Sequence, residues 1–219
     1  MEKKQRPDQI KQWNSTYEGT IEFFGMETSD LGLAALRVFK EKEVESILEL
    51  GCGQGRDTWL FLENGFRVTA MDYSEAGICQ MRDKAEEMQY SVELKVQDAR
   101  VGLPFPEASF DAVYSHMFFT MELTEMEISF ILDECLRVLK PGGINIYSVR
   151  NDHDPHFQMG VHRGEDMWEN PMGFIVHFFS EEKVRRLSTG YEIVSIKEFD
   201  DTSPPFVKKL YEVILRKPQ

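Results

Sequence analysis

Apolar residues along the chain follow two patterns: short continuous runs, and stretches in which they recur at helical spacing. The runs predict strands buried on both faces of a sheet, and the helical spacing predicts amphipathic helices. The predicted strands are 46–50, 66–71, 92–96, 110–114, 144–149, 192–199 and 207–215. The predicted helices are 9–17, 31–42, 58–63, 75–88, 123–139 and 180–189. Because strands alternate with helices over most of the chain, the pattern predicts an α/β sheet with helices on both faces.

A glycine-rich turn joins the first predicted strand to its helix. Gly51, Gly53 and Gly55 follow that strand at once, and the second strand ends in Asp72. Glycines allow a sharp turn and close approach of a ligand, and the start of a helix offers free N–H groups. An acid that ends the second strand can accept hydrogen bonds from both hydroxyls of a ribose. This unit therefore predicts the opening of a doubly wound nucleotide-binding sheet.

The spacing of the glycines distinguishes among nucleotide-binding families. The dinucleotide fingerprint G-x-G-x-x-G would place its third glycine where this chain has Arg56. The chain instead reads ELGCGQGR over 49–56 and MDYS over 71–74, which resembles the class I S-adenosylmethionine-dependent methyltransferases of the small-molecule, type 11/25-like group. The resemblance implies a three-layer, Rossmann-like, doubly wound sheet of seven strands, mostly parallel, with an antiparallel C-terminal hairpin. It also implies S-adenosyl-L-methionine as cofactor.

The resemblance assigns cofactor contacts to individual residues. It implies that Asp72 holds the ribose, that Tyr73 lies beside the adenine and that Asp98 binds the adenine amine. The main chain of the glycine turn would line the methionine portion, and Ser115 or His116 would approach the sulfonium side. The implied cofactor-binding residues are Glu49, Gly51, Cys52, Gly53, Arg56, Asp72, Tyr73, Asp98, Ala99, Ser115, Trp13 and Tyr17.

Three of these assignments have an alternative explanation. Arg56 either pairs with the methionine carboxylate or forms a surface ion pair with Asp57 or Glu63. Trp13 and Tyr17 either cover the methionine end of the cofactor or pack the N-terminal helix onto the core.

His116 is the candidate catalytic acid or base, because it follows the fourth predicted strand, beside the expected methyl group. The alternative is a half-buried histidine that only packs. The other four histidines fall in or beside residues 151–179. Their spacing matches no familiar arrangement of metal ligands, so we expect no metal site.

The composition narrows the partners. The formal net charge of −13 and the isoelectric point near 4.9 disfavour nucleic acid and anionic membranes. Three widely spaced cysteines suggest reduced thiols, and the polar N-terminus lacks the apolar segment of a signal peptide, so we expect a cytoplasmic protein. Whether the protein is a monomer or a homodimer is not resolvable from the sequence.

We expect a single methyltransferase domain over 1–219. Its predicted parts are N-terminal cap helices (1–42), a cofactor-binding core (43–150), an inserted acceptor lid (151–179), and a last helix with the antiparallel hairpin (180–219). The lid shows no clear periodicity, but its aromatic content argues against disorder.

The predicted function is in-line methyl transfer from S-adenosylmethionine to a small-molecule acceptor. A sulfonium methyl is already activated, so a base is needed only if the acceptor must lose a proton. Two alternatives stay open: a methyltransferase fold that binds a cofactor or partner without turnover, and a chalcogen or metalloid methyltransferase. A nicotinamide oxidoreductase is a third class, which requires that NADH binds.

Overall fold

The computed structural model describes residues 8–25, 27–203 and 206–219, and its largest sheet has seven strands. These strands are β1 (Ser46–Leu50), β2 (Arg67–Asp72), β3 (Glu93–Val96), β4 (Phe110–His116), β5 (Leu139–Arg150), β9 (Glu192–Asp201) and β10 (Lys208–Arg216). Their order is β3-β2-β1-β4-β5-β10-β9. The first five strands are parallel, and β10 runs antiparallel between β5 and β9. The predicted fold class is therefore confirmed.

Six α-helices connect and cover these strands within the described residues. They are α1 (Gln9–Gly19), α2 (Asp30–Glu41), α3 (Arg56–Glu63), α4 (Glu75–Met88), α5 (Glu125–Val138) and α6 (Glu181–Leu187). Serine or threonine caps four of them, because Ser29, Ser74, Thr124 and Ser180 each accept a main-chain N–H of the first turn. Thr124 and Glu127 form a reciprocal capping box, which places the start of α5 after the predicted Leu123.

Apolar side chains fill both faces of the sheet. Phe39 of α2, Phe61 of α3 and Ile78 of α4 pack with Tyr114 on one face. Ile131 of α5 and other residues of α5 and α6 pack on the opposite face. This arrangement gives the expected three layers and brings the carboxyl ends of β1, β2 and β4 to one edge of the sheet.

Residues 151–179, the predicted acceptor lid, contain regular structure that the sequence did not predict. We keep the name lid for this segment. Strands β6 (Val161–Gly164), β7 (Met167–Glu169) and β8 (Ile175–His177) form a small antiparallel sheet. The strands have only three or four residues each, and a register shift follows His162. Such short and irregular strands leave no alternation to detect in the sequence, which explains why no strand was predicted there.

Two predicted boundaries also need correction. β5 begins directly after α5 and includes Pro141-Gly142-Gly143, whereas the strand was predicted to begin at residue 144. β4 continues to His116, so Ser115 and His116 are its last two residues. The residues between the last two predicted strands, 200–206, fall partly outside the described residues. Among the helices of the described ranges, none has the length and apolar character needed to cross a bilayer.

Candidate active site

The glycine turn between β1 and α3 lies against two aromatic side chains. Gly51, Gly53 and Gly55 have φ angles of +67°, +55° and +84°, in the left-handed region that favours glycine. A Cβ atom at Gly53 would lie 2.7 Å from the Oη of Tyr17, and one at Gly51 would lie 2.7 Å from Cδ2 of Phe118. Glycine is therefore required at these two positions, because any side chain there would collide with Tyr17 or Phe118.

Two buried acids flank this turn, and both interact with uncharged groups. The Oε2 atom of Glu49 accepts the hydroxyl of Thr58 at 2.6 Å. Asp72 accepts the N–H groups of Gly53 at 2.9 Å and Ser74 at 2.7 Å. Burial raises the pKa of Glu49 to about 8 and also raises the pKa of Asp72. Because neither acid forms an ion pair within the described residues, both suit a ligand with hydroxyl donors or positive charge.

The cysteine of the turn is buried. Cys52 is 6% exposed, and its N–H and that of Gly51 both bond to the carbonyl oxygen of Met71. Burial raises the pKa of the Cys52 thiol well above its usual value. The thiol is therefore protonated, and a contact of Cys52 with the cofactor stays a prediction.

The predicted adenine contacts follow β2 and β3. Asp98 accepts from Nε and Nη2 of Arg100, at 3.0 Å and 2.7 Å. Although partial burial opposes it, this pair lowers the pKa of Asp98. Ala99, the next residue, is buried. Tyr73 is half-buried, and the loss of solvent around its hydroxyl raises its pKa. An adenine amine at Asp98 would share the carboxylate with the guanidinium of Arg100.

Helix α1 connects the glycine turn to the lid. Trp13 and Tyr17 are buried, with ring centroids 5.4 Å apart, and Trp13 lies 5.0 Å from the lid residue Phe174. Asn14 accepts hydrogen bonds from the hydroxyl of Ser74 and from a main-chain N–H in the first turn of α4. The helix thus packs on the core, as one alternative predicted, and Tyr17 also reaches the face of the turn where a ligand would bind.

Arg56 begins α3 and lies beside Asp57. Its Nε atom is 3.9 Å from Oδ1 of Asp57, which is a loose contact. Asp57 is already used by other elements, because it accepts the N–H and hydroxyl of Ser29 and the hydroxyl of Tyr114. The Asp57 alternative is therefore present in weak form, and pairing of Arg56 with a ligand carboxylate stays a prediction.

β4 ends in two buried polar side chains. The Oγ of Ser115 and the Nε2 of His116 are buried and have no hydrogen-bond partner among the described residues. The Nδ1 of His116 is 2.8 Å from the Oγ of Ser148, and Nε2 is 4.0 Å from Oδ2 of Asp201. Burial lowers the pKa of His116 to about 4, so the imidazole is neutral at neutral pH. Since buried polar atoms usually have partners, this strand end is a candidate ligand site.

Three side chains at the base of the lid are spaced like metal ligands, but a lysine lies among them. Glu125, Glu165 and His177 offer ligand atoms within 4.8 Å of one another. The Nζ of Lys183 bonds to Nε2 of His177 at 3.0 Å, lies 3.4 Å from Glu125 and bonds to Asp166. The ammonium group supplies the positive charge that these acids need.

Three residues near this edge of the sheet were not predicted. Phe118 covers Gly51, Ser148 contacts His116, and Asp201 faces it. Ser148 and Asp201 come from strands far along the chain, so no local pattern points to them. Only the pairing of β5 with β4 and the closing hairpin brings them to this edge.

Known proteins share both sequence and fold with this chain. Residues 47–143 match the family model described as "Methyltransferase domain". The chain is 30% identical over 155 residues to the tRNA N(3)-methylcytidine methyltransferase Mettl2 of Drosophila melanogaster, which covers 66% of this chain and 47% of that protein. It is 34% identical over 109 residues to a probable S-adenosylmethionine-dependent methyltransferase of Mycolicibacterium smegmatis, covering 48% and 38%. The chain thus spans less than half the length of these relatives.

The fold is similar over almost the whole chain to a solved enzyme. The 1,6-didemethyltoxoflavin-N1-methyltransferase of Burkholderia thailandensis, with bound 1,6-didemethyltoxoflavin and S-adenosylhomocysteine, has a TM-score of 0.75. The similarity covers 96% of this chain and 88% of that protein at 20% identity, so it shows the fold.

S-adenosyl-L-methionine fits the residues present here. Its ribose has two hydroxyl donors for the buried carboxylate of Asp72. Its ammonium and sulfonium charges suit this edge, because Glu49 and Asp72 form no ion pair with any described residue. The matched segment includes the glycine turn and both acids. The resemblance to the class I S-adenosylmethionine-dependent methyltransferases that the glycine spacing predicts is therefore confirmed, and residues 47–143 match a methyltransferase domain.

Proposed function

We propose that the protein transfers the methyl group of S-adenosylmethionine to a small-molecule acceptor. The observation that carries this proposal is the carboxylate of Asp72. It is buried, two main-chain N–H groups fix its orientation, and no ion pair engages it within the described residues. A carboxylate in this state is prepared for hydroxyl donors such as those of the cofactor ribose.

The contribution of the chain is mainly orientation. When bound, the cofactor supplies an activated methyl group, and holding two reactants in line lowers the barrier by on the order of 7–11 kcal/mol. Asp72 would hold the ribose, Asp98 the adenine, and the glycine turn with Arg56 the methionine portion. His116, whose Nε2 is buried without a hydrogen bond, would contact the acceptor.

The charge of the protein supports a small acceptor. The relative Mettl2 is named as a tRNA methyltransferase. Binding to nucleic acid depends on lysine and arginine contacts with phosphates, whereas this chain has a formal net charge of −13. The lid packs against α1 through Phe174 and Trp13, which is consistent with an acceptor enclosed beneath it.

Calorimetric titration with S-adenosylhomocysteine tests the proposal, with NADH as the control ligand. We expect binding of S-adenosylhomocysteine and none of NADH, because the acids and the glycine spacing favour the first ligand. Failure of both ligands to bind would contradict the proposal. Binding of S-adenosylhomocysteine without turnover of any acceptor would favour the non-catalytic alternative.

A further inference from the structure

We propose that Asp201, the last residue of β9, accepts the proton that the methyl acceptor loses, while His116 donates a hydrogen bond to the same reacting atom. This inference rests on the proposed function. It implies that the acceptor is a hydroxyl compound of the phenol or enol type.

Asp201 and His116 face each other across a short gap. Their side chains are 7% and 8% exposed, and Oδ2 of Asp201 lies 4.0 Å from Nε2 of His116. That separation is too long for a direct hydrogen bond. It is short enough for one further atom to lie about 2.8 Å from both, at the apex of a triangle. The pair can therefore bind one reacting atom together.

The hydrogen bonds of Ser148 assign the tautomer of His116. The Oγ of Ser148 accepts the N–H of Met117 at 3.1 Å and lies 2.8 Å from Nδ1 of His116. A serine hydroxyl can accept two hydrogen bonds but has a single hydrogen to donate. Among the described residues Nδ1 of His116 is the only acceptor bonded to this hydroxyl, so we assign the serine hydrogen to that bond. This network places the imidazole hydrogen on Nε2, the nitrogen that faces Asp201.

The charges around His116 keep it neutral. Burial lowers its pKa to about 4, while the carboxylates of Asp57 and Asp201 act to raise it and the cations of Arg56 and Lys208 act to lower it. These groups come from α3 on one side and from the β9–β10 hairpin on the other. At neutral pH His116 is therefore a neutral imidazole that donates a hydrogen bond through Nε2, and it does not act as a general acid.

Asp201 is the proton acceptor of the pair. Although burial opposes it, hydrogen bonds from Ser203 and the ammonium of Lys208, 3.3 Å from Oδ2, hold the pKa of Asp201 below its usual value. The carboxylate is ionised and able to accept a hydrogen bond. A base this weak takes a proton efficiently only from a fairly acidic group, which favours a phenol or enol over an aliphatic alcohol.

The donor and acceptor pattern selects oxygen as the reacting atom. A hydroxyl oxygen has one hydrogen for Asp201 and two lone pairs, of which one accepts from Nε2 of His116 and the other attacks the methyl carbon. A neutral amine has a single lone pair and cannot both accept from His116 and attack. A thiol is a weak donor and a weak acceptor, so it uses the pair poorly.

The transfer balances without any other reactant. The oxygen–hydrogen bond of the acceptor breaks, and its proton goes to Oδ2 of Asp201. The oxygen forms a bond to the methyl carbon, and the electron pair of the broken carbon–sulfur bond leaves with S-adenosylhomocysteine.

The first test compares Asp201→Asn with Asp200→Asn, which removes the neighbouring carboxylate from an exposed ion pair with Lys209. The probes are 2-naphthol, 2-naphthylamine and 2-naphthalenethiol, each with S-adenosylmethionine. We expect methylation of the naphthol, and a loss of about 10²-fold or more in kcat/KM for Asp201→Asn only. Asparagine still offers an oxygen to the N–H of Ser203, and S-adenosylhomocysteine affinity should not change in either variant.

The second test reads His116 directly by 15N NMR of the wild-type protein and needs neither turnover nor a variant. We expect the hydrogen on Nε2 of a neutral imidazole at pH 7. A hydrogen on Nδ1 would overturn the proposal. So would undiminished turnover by Asp201→Asn, preference for the amine or thiol, or no methylation of the naphthol by a protein that binds S-adenosylhomocysteine. Absence of S-adenosylhomocysteine binding would instead contradict the proposed function.

Discussion

Buried acids have different partners in the two halves of the molecule. One half is the edge of the sheet at which β1, β2 and β4 end, which we call the cofactor edge. There Glu49 accepts a hydrogen bond from a hydroxyl group, and Asp72 accepts hydrogen bonds from two main-chain N–H groups. Burial raises the pKa of both acids. At the base of the lid, the buried Asp154 pairs with Arg150 at a separation of 2.5 Å. The buried Lys183 pairs with acids of the lid and of α5.

This difference separates binding from architecture. Burial without a nearby cation destabilises the charged form of an acid. A ligand that brings hydroxyl donors or positive charge therefore stabilises both the carboxylate and the folded chain. At the base of the lid, the charges of Asp154 and Lys183 are already neutralised by their ion pairs, and these pairs hold segments together. The lid strands have three or four residues each and make few ladder bonds, so they depend on such pairs.

Replacing Asp72 by alanine should have the largest effect. Two hydrogen bonds from ribose hydroxyls to a charged group contribute about 1.5–3 kcal/mol each. We therefore expect S-adenosylhomocysteine affinity, measured by calorimetry, to fall at least about 100-fold. Asp83→Ala on the exposed face of α4 is the matched control and should bind normally. Affinity retained within about tenfold by Asp72→Ala would place the ribose elsewhere and remove the contrast between the two halves.

Replacing Lys183 by methionine should act on the other half. It leaves Glu125 and Asp166 without their cation, and because both carboxylates are partly exposed, we expect a cost of about 1.5–3 kcal/mol, that of a lost hydrogen bond to a charged group. We expect a lower urea midpoint and faster proteolysis within the lid, with a smaller loss of cofactor affinity than for Asp72→Ala. Lys209→Met is the control, because the ammonium of Lys209 pairs with Asp200 at the surface. Equal stability of the two variants would show that the lid does not depend on the buried pair.

The same division sets what the sequence could predict. The β1–α3–β2 unit is local: Gly51, Gly53 and Asp72 lie within a short stretch, and each has a conformational or chemical requirement visible in the residue type. The tyrosine on the turn was also within reach, because helical spacing places Trp13 and Tyr17 on one side of α1. The order of residues was therefore enough for the fold and for the position of the glycine turn with its two acids, whereas their contacts with the cofactor stay predictions.

The lid and the acceptor side depend on distant contacts. Lys183 is one of several charged residues in its segment, and nothing local marks it as buried between α5 and the lid. Asp201 follows a string of acidic and polar residues in β9, and only the closing hairpin turns it toward His116. Even the start of β5 was missed, because Pro141-Gly142-Gly143 favours a stop unless the pairing with β4 and β10 is known.

The pH dependence of Glu49 provides the finest test of the comparison. Its pKa rises from the usual 4.5 to about 8 in the folded chain, so between these values the folded state holds a proton that the unfolded state has released. The resulting stabilisation is complete below pH 4.5 and is lost as the pH rises through 8. Glu49→Gln keeps an oxygen for the hydroxyl of Thr58 and removes this titration. Between about pH 6.5 and 8 we expect the wild type to lose on the order of 1–2 kcal/mol relative to the variant in urea unfolding.

Two controls connect this effect to the cofactor edge. Glu63→Gln removes an exposed acid at the end of α3, the helix that follows the glycine turn. This variant should show the same pH dependence of stability as the wild type. Saturating S-adenosylhomocysteine should narrow the difference between wild type and Glu49→Gln, because the ligand ammonium favours the ionised carboxylate. A difference that is the same with and without ligand would mean that Glu49 is buried for packing alone. The cofactor edge would then differ from the lid only in lacking cations.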